Sequence, residues 1–229
     1  MKSLVSLTAG AIAVALVSSA NGAMIAGWSI TTAFPTGAGN VPTGNTYSVG
    51  AADQGEATAG TVLSSYHTLA AATYTSPAGN GSQYAFSSNN WSIGDYYEAR
   101  VSTSNYSNIS VSWDQARSST GPASFELIFS VDGGTSWTTV AAYTVLQSGG
   151  GGAPGTWSST TYNALYSSSQ ALAGAEDASL LIVRFRSLVT TAAAGSSRID
   201  NVVISGDVVP APGAVALLAV AGLVSRRRR

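Results

Sequence analysis

The stretch of sequence that decides the fold is GDYYEARVSTSNYSNISVSWDQARSSTGPASFELIFSVDGGTSW, residues 94–137. Apolar residues recur at every second position in it three times, at 97–101, 109–113 and 125–131. A period of two is typical of antiparallel strands with one buried face. Further along, Leu181, Val183 and Phe185 alternate with Arg184 and Arg186 in the same way. The pattern predicts an all-β chain.

Shorter segments elsewhere also have strand character. They are MIAGWSI from 24, TVLSSY from 61, SQYAFS from 82, WTTVAAYTVL from 137, TWSSTTY from 156 and RIDNVVIS from 198. Gly, Ser, Asn and Pro separate them, and residues 31–60 and 148–155 are predicted to be long loops. About eight to ten short strands with such connections favour an antiparallel β-sandwich or jelly roll over residues 24–207.

The segment SVDGGTSW, residues 130–137, predicts a tight β-hairpin. Asp132, Gly133 and Gly134 supply residue types that tolerate positive φ at the turn between two strands. The spacing resembles the Asp-box, a motif that sialidases carry as structural repeats on β-hairpins. One copy is present here, so we expect a structural turn, with a cation site at Asp132 as the alternative.

Composition narrows the chemistry of this 229-residue chain. Only 9% of the residues are charged, 45% are hydrophobic, His67 is the single histidine and there is no cysteine. Thiol nucleophiles, cysteine zinc sites, iron–sulfur centres and disulfides are excluded. Residues 24–207 carry five arginines against eleven acidic residues, a formal net charge of −6. Because binding to a phosphate backbone depends on clustered Lys and Arg, nucleic acid is not expected as a partner.

The N-terminal residues 1–23 are predicted to be a secretory signal peptide. Lys2 precedes an apolar stretch from Ala9 to Val17, and small residues follow. The cleavage bond stays open between positions after Ala20, Gly22 and Ala23. The alternative is an apolar strand or permanent anchor, although the stretch is shorter than the roughly 18 residues that span a bilayer.

The C-terminal residues 208–229 have three parts in a fixed order. Pro210 and Pro212 come first, an apolar stretch from Gly213 to Val224 follows, and the cluster Arg226, Arg227, Arg228 and Arg229 ends the chain. The apolar stretch is predicted to form a short hydrophobic helix, and a basic cluster after such a helix indicates a stop-transfer signal. An ordinary tail anchor is the alternative, but the stretch is short for one.

This tail resembles the PEP-CTERM sorting signal, the exosortase substrate tail of exopolysaccharide-producing Gram-negative bacteria. Val209, Pro210, Ala211 and Pro212 stand where the family has Pro-Glu-Pro, and Ala211 departs from that pattern. The resemblance implies transient anchoring in the inner membrane, processing by an exosortase near residues 210–212, and delivery to the cell surface or the extracellular matrix.

A second resemblance concerns residues 94–206. The motif residues are Trp113, Asp114, Gln115 and Arg117, then Asp132 to Gly134, then Arg198 to Asn201. They are similar to a β-sandwich domain that recurs in exosortase-tailed and other extracellular bacterial proteins. That resemblance implies a jelly roll related to carbohydrate-binding modules, without assigned catalytic residues. Jelly-roll modules often hold a structural calcium ion, for which Asp200 and Asn201 are the candidate ligands, and no other cofactor is expected.

Sugar binding requires exposed aromatic faces beside polar side chains. By parity Trp113 belongs to the core, as does Trp28, which leaves Trp91 and Trp157 as exposed candidates, with Tyr96 and Tyr162. Arg184 and Arg186 face away from the core and could bind acidic uronates. The alternative is that they only protect a sheet face.

Nothing in the sequence singles out catalytic groups. His67 has no Ser or Asp partner recognisable from spacing, so we expect it on the surface or in a loop. Three carboxylate pairs could approach in space, namely Asp95 with Glu98, Glu176 with Asp177, and Asp114 with Asp200. We therefore expect a non-catalytic, polysaccharide-associated module. The rivals are a self-associating structural or surface-layer protein, a polysaccharide hydrolase, and an ice-binding or adhesion protein.

Overall fold

The computed structural model describes residues 22–33, 39–41, 46–68 and 71–210. The predicted signal peptide up to residue 21 lies outside the described residues. So does the sorting tail from Ala211 onward, including Pro212 and the terminal arginines. Within the described ranges no helix is long and apolar enough to cross a membrane.

The described residues form thirteen strands and one short 3₁₀ turn, Ala164–Tyr166. The strands are β1 (Ala23–Trp28), β2 (Gly39–Val41), β3 (Thr46–Gly50), β4 (Val62–Tyr66), β5 (Ala72–Thr75), β6 (Phe86–Asn89), β7 (Tyr96–Val101), β8 (Tyr106–Arg117), β9 (Ser124–Ser130), β10 (Thr138–Thr144), β11 (Ser167–Ala171), β12 (Leu181–Ser187) and β13 (Ser196–Val208).

The strands make two antiparallel sheets. Sheet A has the order β11-β8-β13-β6-β5-β2, and β1 pairs with the C-terminal half of β13. Sheet B has the order β10-β9-β12-β7-β4-β3. Strands β6 to β9 alternate between the two sheets, so the chain crosses the core repeatedly. The prediction of an all-β antiparallel sandwich is confirmed.

The alternating segments form the centre of the sandwich. On β8, Ile109, Val111 and Trp113 are buried, and on β9 so are Phe125 and Leu127. Since successive side chains of a strand point to opposite faces, the residues between them face away from the core. The prediction that Trp28 and Trp113 are core residues is confirmed.

Segments without alternation were predicted less well. Residues 31–60 were expected to be a loop, but β2 and β3 lie within them. Strands β5 and β11 were not predicted, because ATYT and SSSQA are short and mostly polar. The segment TWSSTTY is not a strand; it holds a single bridge between Ser158 and Thr161.

The hairpin between β9 and β10 is the predicted turn. Gly133 and Gly134 have φ of 75° and 92°, the region that favours glycine. Ser130 Oγ accepts the Gly134 N–H, and the Asp132 carboxylate accepts the backbone N–H and the hydroxyl of Ser136. These hydrogen bonds lower the pKa of Asp132 well below its usual value. Donors within the hairpin thus already engage the carboxylate.

Trp91 is a core residue, which corrects the expectation that it is exposed. Its exposed fraction is 0%, and its ring centroid lies 4.9 Å from that of Tyr97 and 5.4 Å from that of Phe125. The Trp91 indole N–H donates to the Ser88 carbonyl at 2.9 Å. Polar neighbours in the sequence SSNNWS suggested a surface site. Directly before it, after the end of β6, Asn90 has a φ of 60°, so the alternation of β6 does not continue to Trp91.

Candidate functional site

The outer face of sheet A, the side turned away from sheet B, carries a group of polar side chains. Because Phe86, Trp113 and Ile199 are buried in the core, alternation places Ser87, Asp114 and Arg198 on the opposite side. Two loops, residues 76–85 and 153–163, contact this face. The Trp157 indole N–H donates to the Ala78 carbonyl at 2.7 Å and links the two loops.

A β-bulge in β13 shapes this face. The register of β13 against β8 shifts between Asp200 and Val203, and Asn201 has a φ of 47°. Asn tolerates this left-handed conformation better than most residues. As a result both Asp200 and Asn201 reach the same loop residue. The Asn80 N–H donates to Asp200 Oδ2 at 2.8 Å, and the Asn201 amide donates to the Asn80 carbonyl at 3.1 Å.

Asn80 and Asp114 connect the loops to the sheet. The Asn80 side-chain amide donates to Asp114 Oδ2 and to the Asn163 carbonyl, both at 3.0 Å, and its Oδ1 accepts the Asn163 N–H at 2.9 Å. Asp114 Oδ2 also accepts from Asn201 at 2.7 Å, and its Oδ1 accepts the Ser167 hydroxyl. Asn80 and Asp114 are both buried, so this network fixes the loops over sheet A.

Asp200 is buried next to this network. Its Oδ2 accepts the Ser82 hydroxyl at 2.5 Å, whereas its buried Oδ1 has no hydrogen-bond partner among the described residues. A Cβ on Gly79 would collide with Asp200 Oδ2 and Ser82 Oγ, so glycine is required where the loop approaches this carboxylate. Burial raises the pKa of Asp200 to about 6, although the hydrogen bonds from Ser82 and Asn80 oppose the rise.

The raised pKa of Asp200 gives stability a definite pH dependence. A carboxyl whose pKa is higher in the folded state stabilises that state most at pH values below its unfolded pKa of about 4. This contribution is lost as the pH rises through the folded pKa of about 6. We expect the free energy of unfolding to increase by about 1–1.5 kcal/mol from pH 8 to pH 5 on this account. Urea unfolding of the wild type and Asp200→Asn at both pH values measures it. If the free energy of unfolding of Asp200→Asn changed with pH as strongly as that of the wild type, Asp200 would not be the group responsible.

Two clefts open on the outer face of sheet A. The first, here named the Tyr162 cleft, has a volume of about 380 Å³. Tyr162 is 58% exposed, and its hydroxyl lies 2.7 Å from Ser167 Oγ. Hydroxyl, amide and carboxylate groups make up most of the remaining lining, from Asn80, Ser112, Asp114, Ser168 and Asn201.

The second cleft, here named the Arg198 cleft, has a volume of about 290 Å³. Its polar lining comes from neighbouring strands of sheet A, namely Thr73, Thr75, Ser87, Asn89, Ser196 and Arg198. Trp157, one of the predicted sugar-binding residues, is half-buried beside it, with its ring 6.0 Å from the Arg198 guanidinium carbon. Pro77 borders this cleft, and Asn80 and Gly81 border the other, so one loop flanks both.

The side-chain atoms of Asp200 and Asn201 do not form a suitable set of ligands for the predicted calcium ion. Calcium takes six to eight oxygen ligands. The Asn201 amide nitrogen, which donates to two oxygens, faces Asp114, and N–H and O–H donors occupy Asp200 Oδ2. Asp200 Oδ1 is the one unengaged carboxylate oxygen of this network. In the described part of the chain no three His, Asp or Glu side chains cluster as metal ligands.

Arg184 and Arg186 lie on the outer face of sheet B, where carboxylates already engage them. Arg184 Nε is 2.6 Å from Glu98 Oε2, and Arg186 NH2 is 2.6 Å from Glu126 Oε1. The Arg184 guanidinium carbon also lies 3.9 Å from the ring centroid of Tyr96 and 4.1 Å from that of Trp137. These contacts correspond to the alternative of a protected sheet face, and the uronate role stays a prediction.

His67 is buried, which corrects the expectation of a surface residue. Its Nδ1 lies 3.0 Å from Asp95 Oδ2, and its Nε2 lies 3.2 Å from Ser88 Oγ. Burial alone would raise the pKa of Asp95, but the hydrogen bonds from His67 and from Thr68 N–H outweigh it and lower that pKa. The arrangement has the order of a Ser-His-Asp triad. All three side chains are at least 98% buried.

The three predicted carboxylate pairs lie in different surroundings. Asp114 and Asp200 are register partners on neighbouring strands, and Asn80 bridges them. Asp95 belongs to the His67 network, whereas Glu98 pairs with Arg100 and Arg184 on sheet B. Glu176 and Asp177 are exposed in the connection before β12, where each accepts a backbone N–H.

Two residues of the site were missed as candidates. Arg198 had a signal, because it alternates with the buried Ile199 and therefore had to face away from the core. Asn80 had none beyond its place between two glycines, since its partners come from residues 114, 163 and 200–201.

No protein-family model and no curated protein sequence matches this chain. Among solved structures it is similar to the CBM22-1–GH10 modules of Clostridium thermocellum xylanase 10B complexed with xylohexaose (16% identity, TM-score 0.41). That match covers 80% of this chain and 28% of the xylanase chain. The K3 cleaved adhesin domain of Lys-gingipain from Porphyromonas gingivalis matches at 11% identity and a TM-score of 0.41, covering 80% and 99% of the two chains.

The carbohydrate-binding module TmCBM61 in complex with β-1,4-galactotriose is a further match, at 11% identity and a TM-score of 0.36. It covers 65% of this chain and 90% of the module. Carbohydrate-binding modules with a β-sandwich fold are thus among the structures that this chain resembles.

Proposed function

We propose that the chain is a non-catalytic module that binds extracellular polysaccharide on the outer face of sheet A. The observation that carries this proposal is the pair of clefts there, both lined by hydroxyl and amide side chains. Tyr162 stands exposed in one, and the half-buried Trp157 lies beside the other. An aromatic face next to a few oriented polar groups is the usual composition of a sugar site.

The state of the acidic groups supports a binding role over hydrolysis. Glycoside hydrolysis needs two carboxyl groups free to act as acid and as base or nucleophile. In the Tyr162 cleft, the described residues Asn80, Asn201 and Ser167 donate to both oxygens of Asp114. Asp200 is buried beneath the loop that contains Ser82. Neither carboxyl is placed to transfer a proton to a sugar in the cleft.

The proposal includes export and sorting. A signal peptide over residues 1–23 directs the chain across the inner membrane, and the PEP-CTERM-like tail over 208–229 holds it there transiently. Exosortase processing near residues 210–212 then delivers the domain to the cell surface or matrix. At the start of this tail Val209 and Pro210 are exposed, and the Val209 N–H donates to the Asn105 carbonyl at 2.8 Å.

Co-sedimentation of the full-length chain with the producing cell's exopolysaccharide tests the proposal, followed by sizing of the polymer. We expect saturable binding and unchanged polymer length. A chelator should leave binding intact, because the donors at Asp200 do not fit calcium. Shortened polymer would instead identify a hydrolase. Sedimentation of the protein without polymer would favour the self-associating structural protein.

Replacing Tyr162 with alanine is expected to weaken binding about fivefold to tenfold, since one stacked aromatic face contributes about 1–1.5 kcal/mol. Ile93→Ala is the matched control. Ile93 is 62% exposed and lies outside both clefts, so its removal should leave the dissociation constant unchanged. Equal dissociation constants for the wild type and Tyr162→Ala would exclude the Tyr162 cleft as the site.

A further inference from the structure

Arg198 differs from the other four arginines of the described residues. Glu98 binds both Arg100 and Arg184, and Glu126 binds Arg186. The guanidinium of Arg117 donates to three backbone carbonyls, those of Val145, Ser118 and Ser119.

In the described part of the chain, no residue accepts a hydrogen bond from the Arg198 guanidinium, and no carboxylate forms an ion pair with it. Asp200 lies two residues further along β13, but its Oδ2 is engaged by Asn80 and Ser82. Arg198 is half-buried, and this burial lowers its pKa from the usual value. Its guanidinium nitrogens are not among the buried unpaired atoms of the described residues, so they reach the cleft, where a ligand can accept hydrogen bonds from them.

The surroundings of Arg198 show which ligand would fit. It is in register with Ser87 on β6, and Ser196 precedes it on the same face of β13. Hydroxyl and amide groups from three neighbouring strands line the rest of the cleft, and the Trp157 ring lies at its edge. Guanidinium is planar and forms paired hydrogen bonds with a carboxylate, while hydroxyl and amide groups match the hydroxyls of a sugar ring.

We propose that the Arg198 cleft recognises the carboxylate of a uronic acid residue in an acidic polysaccharide. This inference rests on the proposed function and names its ligand class. The arginine that meets the uronate is therefore Arg198 on sheet A, whereas Arg184 and Arg186 on sheet B hold their own carboxylates.

Recognition has to be local, because residues 24–207 carry a formal net charge of −6 and repel a polyanion at long range. At an ionic strength of 0.15 M the screening length is about 8 Å, which confines this repulsion. Binding should therefore be measured at that ionic strength.

The test compares the full-length chain on polygalacturonate, alginate and glucuronan with the carboxyl-reduced form of each polymer, which lacks the charge. We expect at least one polyuronate to bind about tenfold or more tightly than its reduced form. Arg198→Gln should lose this preference, so that the charged polymer and its reduced form bind it with equal affinity. Arg100→Gln removes one positive charge from sheet B and should retain the preference.

A competition experiment uses only the wild type, so its result does not depend on whether a variant folds. Free uronate monomer should displace the bound polymer from the wild type at concentrations at which the corresponding neutral sugar does not. Dextran sulfate should compete at least about tenfold more weakly than the polyuronate, because its charged groups are tetrahedral sulfates and not planar carboxylates.

Each remaining outcome separates the two proposals. Equal binding of charged and reduced polymers, or an unchanged preference in Arg198→Gln, would overturn the uronate site and leave the polysaccharide module standing. Dextran sulfate binding as tight as the polyuronate would replace carboxylate recognition with general anion binding. No binding to these polymers or to the producing cell's exopolysaccharide would overturn both proposals.

Discussion

Trp91→Ala is expected to lower the free energy of unfolding by about 3–5 kcal/mol, the cost of emptying a large core site. Trp91 is fully buried and packs against His67, Tyr97 and Phe125. The loss of its indole N–H also leaves the Ser88 carbonyl without this donor. For a domain of this size the melting temperature should fall by about 6–20 °C, measured by circular dichroism.

Trp157→Ala is the matched control for this prediction. Trp157 is half-buried at the rim of the Arg198 cleft, so its removal should destabilise the chain less and weaken polysaccharide binding more. The reverse result would contradict the assignment of the two tryptophans. In that case Trp91→Ala would melt near the wild-type temperature but lose the ligand, as an exposed sugar platform would.

The second large effect is expected for Asn80→Ala. This substitution removes two donated hydrogen bonds and one accepted bond, one of them to the carboxylate of Asp114. We expect a loss of about 2–4 kcal/mol, because the partners are buried and one is charged. Cleavage of the loops 76–85 and 153–163 by an added protease should become faster, since Asn80 holds both over sheet A.

Two further variants make the Asn80 prediction specific. Gln83→Ala changes an exposed residue of the same loop and should alter stability by no more than about 0.5 kcal/mol. Asn80→Asp keeps the shape but places a second carboxylate against Asp114, so it should be destabilising at pH 7 and partly recover at acid pH. If Gln83→Ala lowered the free energy of unfolding and Asn80→Ala did not, the Asn80 network would not be what holds the loop.

The centre of the fold was predictable because one physical signal dominates there. A strand with one buried face carries apolar residues at every second position, and β7, β8, β9 and β12 each contain such a row. The hairpin at Asp132 was equally predictable, since the two glycines that follow it adopt the positive φ that such a turn requires. Strands β2, β3, β5 and β11 lack such a signal, because their pairing with neighbours and not their own residues makes them strands.

Trp91 and His67 show where local patterns fail. Both have polar sequence neighbours, and both are buried by residues far away in the chain, such as Phe125 for Trp91 and Asp95 for His67. The site divides in the same way. Alternation places Arg198 on the outer face, but no sequence pattern reveals that Asn80 would bridge Asp114 and Asp200.

Hydrogen exchange of the full-length chain, with and without the bound polysaccharide, tests most directly whether the outer face of sheet A is the binding face. We predict slower exchange in residues 71–89, 155–168 and 194–203, which form the two clefts and their flanking loops. Residues 96–101 and 181–187 of sheet B should exchange at an unchanged rate. Protection confined to sheet B would contradict the account and return the ligand to Arg184 and Arg186.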